Sequence, residues 1–271
     1  MRSFIAIVGF MALAPANMCW AQLAAGNEMG VAMGHLHLNV RDIQADKKLW
    51  LTLGAVPANQ LSAAQANRET VKIAGVLITI AKQKDPPAGG SVGSIVDHVG
   101  FHVPNVQAAV AKWRAAGVTV EPGGNGRKDQ VYVTSPDGLR IEILEDATMT
   151  VPIAMHHLHF FATESVLPEL RNYYVQHYGA KPGKRGNFEV ANLPGVEMIF
   201  SKSAMATAPT KGRVLDHIGF EVANLEAFSK KMQADGVKFD REYRKQDIFG
   251  IVVLADPWGT AMELTEGQRL Y

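Results

Sequence analysis

The amino-acid sequence predicts an α+β fold built from four copies of one β-α-β-β-β module. The segment Val-Asp-His-Val-Gly-Phe-His-Val at residues 96–103 recurs as Leu-Asp-His-Ile-Gly-Phe-Glu-Val at residues 215–222. Likewise, Gly-His-Leu-His-Leu at residues 34–38 is similar to His-His-Leu-His-Phe at residues 156–160. Four related segments therefore begin near residues 33, 95, 155 and 214, a spacing of about 60 that is typical of repeated supersecondary units.

Each module shows the same order of local signals. It opens with alternating apolar and polar residues, the period of a strand, and continues with a helical run that is followed directly by glycine. Further strand-like runs end in a last, strongly apolar strand. The predicted helices cover residues 42–53, 105–116, 165–178 and 224–235, and the predicted last strands cover residues 75–80, 138–143, 195–200 and 259–264. Trp50, Trp113 and Phe228 fall on the apolar helix faces, so we expect them in the core.

Segments rich in Pro, Gly and small residues separate the modules. They lie at residues 85–90, 147–152 and 206–212 and delimit modules at 33–86, 95–147, 153–205 and 213–267. A single four-stranded module exposes a sheet edge and an apolar face, so we expect modules to pair. Pairing of sequence neighbours predicts an N-terminal domain at 33–147 and a C-terminal domain at 153–267.

Residues 1–21 are predicted to be a signal peptide. Arg2 precedes an apolar run from Phe4 to Ala14, and small residues around Ala21 favour cleavage there. A membrane anchor is the alternative, but the run is short for a bilayer. We therefore expect an exported protein, periplasmic or extracellular, with a mature N-terminus at or near Gln22.

Removal of the signal peptide leaves a neutral chain without cysteine. The sequence has 27 Lys and Arg residues, and loss of Arg2 leaves 26 against 26 Asp and Glu residues. This balance provides no electrostatic reason for a nucleic-acid or membrane partner. Cys19, the only cysteine, is also removed, so a metal would have to be held by histidine and carboxylate side chains. The expected partner is a small molecule; a homodimer is compatible with the sequence, which does not determine the oligomeric state.

Strand alternation places two sets of histidine and glutamate on inner sheet faces. His98 lies on the face opposite Val99 and Phe101, and the inner positions of the other modules are found in the same way. An unpaired carboxylate in an apolar strand is costly to bury, which favours a ligand role. With neighbouring modules paired, the predicted metal triads are His35, His98 and Glu142, and His157, His217 and Glu263. Two imidazoles and one carboxylate are typical of open Fe(II), Mn(II) or Zn(II) sites, and the sequence does not distinguish these divalent ions.

The repeated Asp-His-Val/Ile-Gly-Phe strand, the Ser/Asp-Pro-x-Gly turn and the inward glutamate resemble the vicinal oxygen chelate superfamily. That superfamily includes glyoxalase I, extradiol dioxygenases and bleomycin resistance proteins. The resemblance implies that two modules form an incomplete barrel around one metal, giving two such barrels in this chain. It places Thr79 and Ile199 where glyoxalase I has a fourth ligand, so three-ligand sites of the extradiol type are expected.

Four further residues are candidate catalytic groups. Tyr132 precedes Glu142 by the ten residues that separate a substrate-binding tyrosine from the metal glutamate in extradiol dioxygenases, as the resemblance implies. Arg140 shares a strand face with Glu142 and could neutralise an anionic substrate. Residues 68–80 contain no histidine for the acid–base role of those dioxygenases, and His37 and His102 are the candidate substitutes. Because Tyr132 and Arg140 accompany Glu142, we expect the chemistry in the N-terminal half.

The leading functional hypothesis is a metal-dependent enzyme acting on a small, oxygen-rich substrate, by dioxygenase-like or by lyase or isomerase chemistry. The alternatives are a binding protein that sequesters its ligand without turnover, as in the bleomycin resistance branch, and a structural module stabilised by its metal. Retained triads favour the enzyme.

Overall fold

The structure, a computed structural model, describes residues 22–58, 67–246 and 248–270. The predicted signal peptide, residues 1–21, lies outside the described residues. In the described part of the chain, no helix is both long enough and apolar enough to span a bilayer.

The predicted β-α-β-β-β order is confirmed in all four modules. The first module contains β1 (Val31–Asn39), α1 (Ile43–Leu53), β2 (Val56–Pro57), β3 (Arg68–Ile73) and β4 (Val76–Ala81). The second contains β5 (Val96–Val103), α2 (Val106–Ala115), β6 (Val120–Pro122), β7 (Gln130–Thr134) and β8 (Arg140–Glu145). The third contains β9 (Ala154–Ala162), α3 (Leu167–Tyr178), β10 (Lys181–Arg185), β11 (Phe188–Leu193) and β12 (Val196–Lys202). The fourth contains β13 (Leu215–Val222), α4 (Leu225–Ala234), β14 (Arg241–Gln246), β15 (Phe249–Ala255) and β16 (Ala261–Glu266).

Local capping explains where three of the helices begin. The side chain of Asp42 accepts hydrogen bonds from the first free amides of α1, at 2.9 and 3.1 Å. Asn105 and Asn224 cap α2 and α4 in the same way, through single hydrogen bonds of 2.7 and 3.1 Å. Helix α3 has no side-chain cap and instead follows a short 3-10 turn, with Pro168 in its first turn. It begins two residues later than the sequence predicts.

The sheets pair modules that are not neighbours in sequence. One eight-stranded sheet has the order β14-β15-β16-β13-β1-β4-β3-β2 and joins the fourth module to the first. The other has the order β10-β11-β12-β9-β5-β8-β7-β6 and joins the third module to the second. In each sheet the first strands of the two modules meet antiparallel, and neither sheet closes on itself. The neighbour pairing predicted from the sequence, with its N-terminal and C-terminal domains, is therefore wrong for the sheets.

Sequence neighbours nevertheless contact each other, through their helix-covered faces. Trp50 of α1 packs edge-on against Phe101 of β5, with ring centroids 5.5 Å apart. The strands of the first module belong to one sheet and β5 belongs to the other. The same relation joins the third and fourth modules, where the ring of Tyr178 in α3 lies 5.0 Å from that of Phe220 in β13. Trp50, Trp113 and Phe228 are buried, as predicted. The apolar core thus lies between the two sheets. The other, more polar face of each sheet points away from this core and is not part of its packing.

Candidate functional site

Two clusters of histidine and glutamate lie on the polar faces, one in each sheet. The Glu142 cluster consists of His98, Glu142, His157 and His159, whose candidate ligand atoms all lie within 4.8 Å of one another. His98 Nε2 lies 3.0 Å and His157 Nε2 lies 3.2 Å from the same carboxylate oxygen, Glu142 Oε2. His159 Nδ1 lies 3.1 Å from His98 Nε2. All four side chains are buried.

The Glu263 cluster consists of His35, His37, His217 and Glu263. The Nε2 atoms of His35 and His217 each lie 3.7 Å from a carboxylate oxygen of Glu263. The ring of His37 stacks on that of His217, with centroids 4.3 Å apart. This cluster has the same composition as the first but is more widely spaced.

The six predicted ligands are all present in these clusters, but their grouping differs from the prediction. His35 and His157 have exchanged places. His157 of the third module joins His98 and Glu142, and His35 of the first module joins the ligands of the fourth. The correction follows directly from the sheet order, because β9 is paired with β5 and β1 is paired with β13.

The glycine of the repeated Asp-His-Val/Ile-Gly-Phe motif provides an independent sign of this grouping. A Cβ atom built on Gly100 would lie 2.0 Å from the imidazole of His157, and one built on Gly219 would lie 2.1 Å from that of His35. Both glycines are directly opposite these histidines in the strand register. Each motif glycine therefore provides room for a ligand from the other module.

The aspartate of the same motif orients the histidine that follows it, a role that was not predicted from the sequence. His98 Nδ1 donates to Asp97 Oδ1 at 2.9 Å, and His217 Nδ1 donates to Asp216 Oδ1 at 2.7 Å. A carboxylate that holds Nδ1 fixes the ring orientation and leaves Nε2 free to bind a metal. The second oxygen of each aspartate accepts a backbone N–H, from Gly93 at 3.0 Å or from residue 212 at 2.8 Å. The recurrence of Asp-His in both modules was the available signal.

Two glutamines play similar supporting roles without any repeat to reveal them. Gln130 Nε2 donates to Glu142 Oε1 and also to the Tyr132 hydroxyl, the latter at 3.1 Å. Gln268, near the C-terminus, accepts a hydrogen bond from His35 Nδ1 at 3.0 Å. Both contacts join segments distant in the sequence or depend on strand register, so the sequence carries no local pattern for them.

Burial and charge keep most of these imidazoles neutral. Burial lowers the pKa of His35 to about 4, with Glu263 opposing the shift, and lowers the pKa of His159 to about 3, where the neighbouring histidines add to the effect. Burial likewise lowers the pKa of His157, against the opposing effect of Glu142. Because only a neutral imidazole can bind a metal, these shifts leave the nitrogen lone pairs available at neutral pH.

His98 and Glu142 form a coupled pair with the opposite tendency. Burial acts to lower the pKa of His98, but its bonds to Asp97 and Glu142 outweigh burial and raise the pKa. Burial acts to raise the pKa of Glu142, yet His157 and His98 hold it well below its usual range. Glu142 is therefore ionised, and a metal that binds His98 would replace a proton there.

The donor geometry fits a divalent metal. Ligand atoms about 2.1 Å from one metal and at right angles to one another lie about 3.0 Å apart, close to the separations in the Glu142 cluster. Among the described residues, the Nε2 atoms of His35, His157 and His217 are buried without a hydrogen-bond partner, which is costly unless another group binds them. In the Glu263 cluster, where the corresponding separations are 3.7 Å, the ligand atoms would have to approach each other by about 0.7 Å to reach the same spacing.

Residues 154–264 match the model of the Glyoxalase/Bleomycin resistance protein/Dioxygenase superfamily. This part of the chain belongs to that superfamily. The resemblance found in the sequence is thereby confirmed. The matched residues comprise the third and fourth modules, which lie in different sheets of this structure. Comparison with curated proteins found no match.

Solved structures share the whole architecture. Glyoxalase I from Zea mays has a TM-score of 0.68 at 14% identity, over 89% of this chain and 94% of that chain. A putative dioxygenase from Bacillus subtilis subsp. subtilis str. 168 has a TM-score of 0.63 at 15% identity, over 91% of this chain and 86% of that chain. At such identities these similarities establish the fold, and they extend it beyond the segment matched by the superfamily.

An open cavity of about 550 Å³ leads to the Glu142 cluster. Tyr132 and Arg140 line it together with the ligand residues, so the structure brings these two predicted residues to the site. The guanidinium carbon of Arg140 lies 4.1 Å from the centre of the Tyr132 ring. The other cavity-lining residues are Asp97, Gly124, Asn125, Arg127, Gln130, Leu144, Phe161, Arg185, Gly186, Phe188 and Ile199.

The other two candidate catalytic histidines are not among the residues that line this cavity. His37 belongs to the Glu263 cluster. His102 stacks on His156 with ring centroids 3.9 Å apart and lies 3.8 Å from Asp146. The fourth-ligand positions are also exchanged between the sites, because Ile199 lies in the sheet of Glu142 and Thr79 in that of Glu263.

Proposed function

We propose that this protein is a metal-dependent enzyme of the glyoxalase/dioxygenase type, acting on a small, oxygen-rich substrate at the Glu142 cluster. The observation that carries the proposal is the convergence of His98 Nε2 and His157 Nε2 on one oxygen of Glu142, at 3.0 and 3.2 Å, at the end of an open cavity. Although Glu142 Oε2 lies 3.2 Å away, the buried His157 Nε2 makes no hydrogen bond to any described residue, so a metal would satisfy its lone pair.

His98, Glu142 and His157 would hold the metal, with His159 beside them. When bound, a divalent metal would act as a Lewis acid toward two neighbouring substrate oxygens or toward dioxygen. Asp97 orients His98, and Gln130 orients Glu142, so both ligands are fixed before substrate arrives. The apolar Ile199 stands where a fourth protein ligand could stand, which supports an open metal position facing the cavity.

Tyr132 is suited to donate a hydrogen bond to a bound substrate. Its hydroxyl accepts from Gln130 Nε2 at 3.1 Å, which leaves its own proton for another acceptor. Burial, followed by the charge of Glu142, raises the pKa of Tyr132, so the hydroxyl stays protonated at neutral pH. This arrangement supports a positioned donor next to the metal ligands.

Two positions beside the Glu263 cluster carry aliphatic residues where the Glu142 cluster has Tyr132 and Arg140. In the strand register, Tyr132 faces Glu142, whereas Val253 faces Glu263. Arg140 precedes Glu142 by two residues, and Ala261 occupies the corresponding place before Glu263. The contrast supports the assignment of the chemistry to the Glu142 cluster. We also propose that the protein works outside the cytoplasm, as its N-terminal sequence predicts.

The test begins with metal analysis of the purified mature protein. Metal-loaded protein is then given a panel of compounds with two neighbouring oxygens, with product formation followed in the presence and absence of dioxygen. Oxygen uptake would indicate dioxygenase chemistry, and oxygen-independent turnover would indicate a lyase or isomerase. Glu142→Gln should reduce turnover to the metal-free background, and Tyr132→Phe should reduce it about tenfold or more through loss of one hydrogen bond.

Glu263→Gln is the matched control, because it changes the equivalent ligand of the other cluster. Loss of activity in this variant alone would place the chemistry at the Glu263 cluster and overturn the assignment. Tight ligand binding without turnover in fully metal-loaded protein would indicate a sequestering function instead of an enzyme.

A further inference from the structure

We infer that the substrate of the Glu142 cluster is a small organic anion with a carboxylate on a flat, apolar body, and that Arg140 binds this carboxylate. The inference rests on the proposed function and deepens it by naming the chemical class of the substrate. Its basis is the unpaired guanidinium of Arg140 together with the charge and shape of the cavity.

Three arginines line the cavity, and two of them are already neutralised. Arg127 forms a bidentate pair with Asp129, at 2.9 and 2.6 Å. Arg185 lies 2.8 Å from Glu197 Oε1. Arg140 has no ion pair with any described residue, and its guanidinium instead lies over the Tyr132 ring. Its charge helps to lower the pKa of Asp97, but it forms no direct ion pair with that carboxylate. Arg140 is therefore the one of the cavity's three arginines without a paired carboxylate among the described residues.

The packing of Arg140 also favours a ligand role over a merely solvated side chain. Its backbone N–H donates to Ser91 Oγ at 2.9 Å, which fixes the start of β8. Stacking on the aromatic face of Tyr132 orders the guanidinium, and none of its N–H groups donates to another of the described residues. A planar guanidinium with a free edge matches the geometry of a carboxylate.

The charge balance of the cavity points the same way. Asp129 and Glu197 offset Arg127 and Arg185, so the lining charges that remain are Arg140 against Asp97 and Glu142. A divalent metal would add two positive charges and make this balance positive by one. Walls of low dielectric constant strengthen the resulting potential, which favours anions over neutral or cationic compounds.

Apolar side chains in the cavity wall fit the body of such a substrate. Arg140 and Glu142 are two residues apart on one face of β8, a distance of about 6.6 Å at the strand rise. Leu144 continues this face beyond Glu142. Phe161 and Phe188 line the cavity beside His159, with ring centroids 4.7 and 5.7 Å from that of His159. The distance and the aromatic lining fit a ring-sized group with chelating oxygens at the metal end and a carboxylate at the Arg140 end.

The test uses two probes that differ only in charge. Protocatechuate carries two neighbouring hydroxyl groups and a ring carboxylate, and protocatechuamide replaces the carboxylate with a neutral amide of the same shape. Binding of each to the metal-loaded full-length mature protein is measured by calorimetry. We expect wild-type protein to prefer protocatechuate about tenfold or more, the range of a hydrogen-bonded charge. Arg140→Gln should abolish this preference while keeping the affinity for the amide and the metal stoichiometry.

Arg127→Gln is the control for general positive charge, since Arg127 lines the same cavity but is paired with Asp129. It should retain most of the preference, and Arg140→Lys should retain part of it. Equal binding of the two probes by wild-type protein, binding of neither, or a full preference in Arg140→Gln would overturn the inference. Metal stoichiometry, measured first on the same samples, separates these results from a failure of the proposed metal site.

Discussion

Substitution of Gly100 by alanine should damage the metal centre through a residue of another module. An ideal Cβ at this position would lie 2.0 Å from Cε1 and 2.2 Å from Nδ1 of His157. Carbon atoms in contact are about 3.5 Å apart, so the imidazole would have to retreat by about 1.5 Å. His157 is only 1% exposed and its Nδ1 shares a 2.6 Å hydrogen bond with His156, so the ring has little room to move.

We expect Gly100→Ala to cost about 1–3 kcal/mol of unfolding free energy, the range for overpacking of a filled interior. Without the clash, Gly100→Ala would instead raise the unfolding free energy, because alanine in a strand is favoured over glycine by roughly 0.5–1 kcal/mol. Metal affinity at the Glu142 cluster should fall at least about tenfold, since displacing a ligand harms a site no less than loss of a supporting contact. Chemical denaturation of the metal-free protein and metal titration of the folded protein measure the two effects separately.

A double-mutant cycle identifies the residue involved. Truncation in His157→Ala removes the ring that the new methyl group meets, so the stability cost of Gly100→Ala should largely disappear in the double variant. Gly219→Ala is the matched control, which should affect the Glu263 cluster through the ring of His35. Coupling of Gly100→Ala to His35 instead of His157 would restore the pairing of sequence neighbours and refute the sheet order. Unchanged stability and metal affinity would refute the steric argument itself.

Three further outcomes are expected. Asp97→Asn should lower metal affinity at the Glu142 cluster about 10–100-fold, and Asp216→Asn should do so at the Glu263 cluster, because each aspartate orients a ligand. Site-resolved metal titration measures both effects, and a variant that binds metal like the parent would contradict this expectation. Asp46 is fully buried, and burial, with Asp137 nearby, raises its pKa to about 7 from an ordinary value of 3.8. Stability should therefore fall as pH rises from about 4 to about 7 and stay low above it, and Asp46→Asn should recover up to about 4 kcal/mol at pH 8 and little at pH 4 in denaturant titrations. Export predicts that intact mass spectrometry of protein secreted by the cell finds an N-terminus at or near Gln22, and a secreted product that retains the apolar run would contradict it.

The modules, helices and ligand types were predictable because local rules determine them. Helix α1 begins after Asp42 and is followed by Gly54 at a φ of +122°, as the capping and glycine signals indicate. Alternation along β5 places His98 opposite Val99, whatever the partner strand is. All six predicted metal ligands therefore lie in the two clusters, on the inner faces where the sequence places them.

The partner of each module could not be predicted by the same reasoning. The first and third modules each present a histidine strand, and the second and fourth each present an Asp-His-Val/Ile-Gly strand with room above its glycine. Each histidine strand could lie beside either glycine strand. Pairing of sequence neighbours and the observed pairing of the first module with the fourth therefore agree equally well with the local sequence pattern. The choice between them depends on contacts between distant segments, such as Trp50 against Phe101 across the two sheets.

The same distinction between local sequence information and tertiary contacts applies to the candidate metal site. The sequence by itself determined which side chains can bind a metal, because side-chain chemistry and the period of a strand are local properties. Only the tertiary structure decided that His157, and not His35, completes the centre around Glu142, and that Gln130, Tyr132 and Arg140 share its cavity. The physical reason is that strand register and sheet order are set by the packing of the whole core, to which every module contributes.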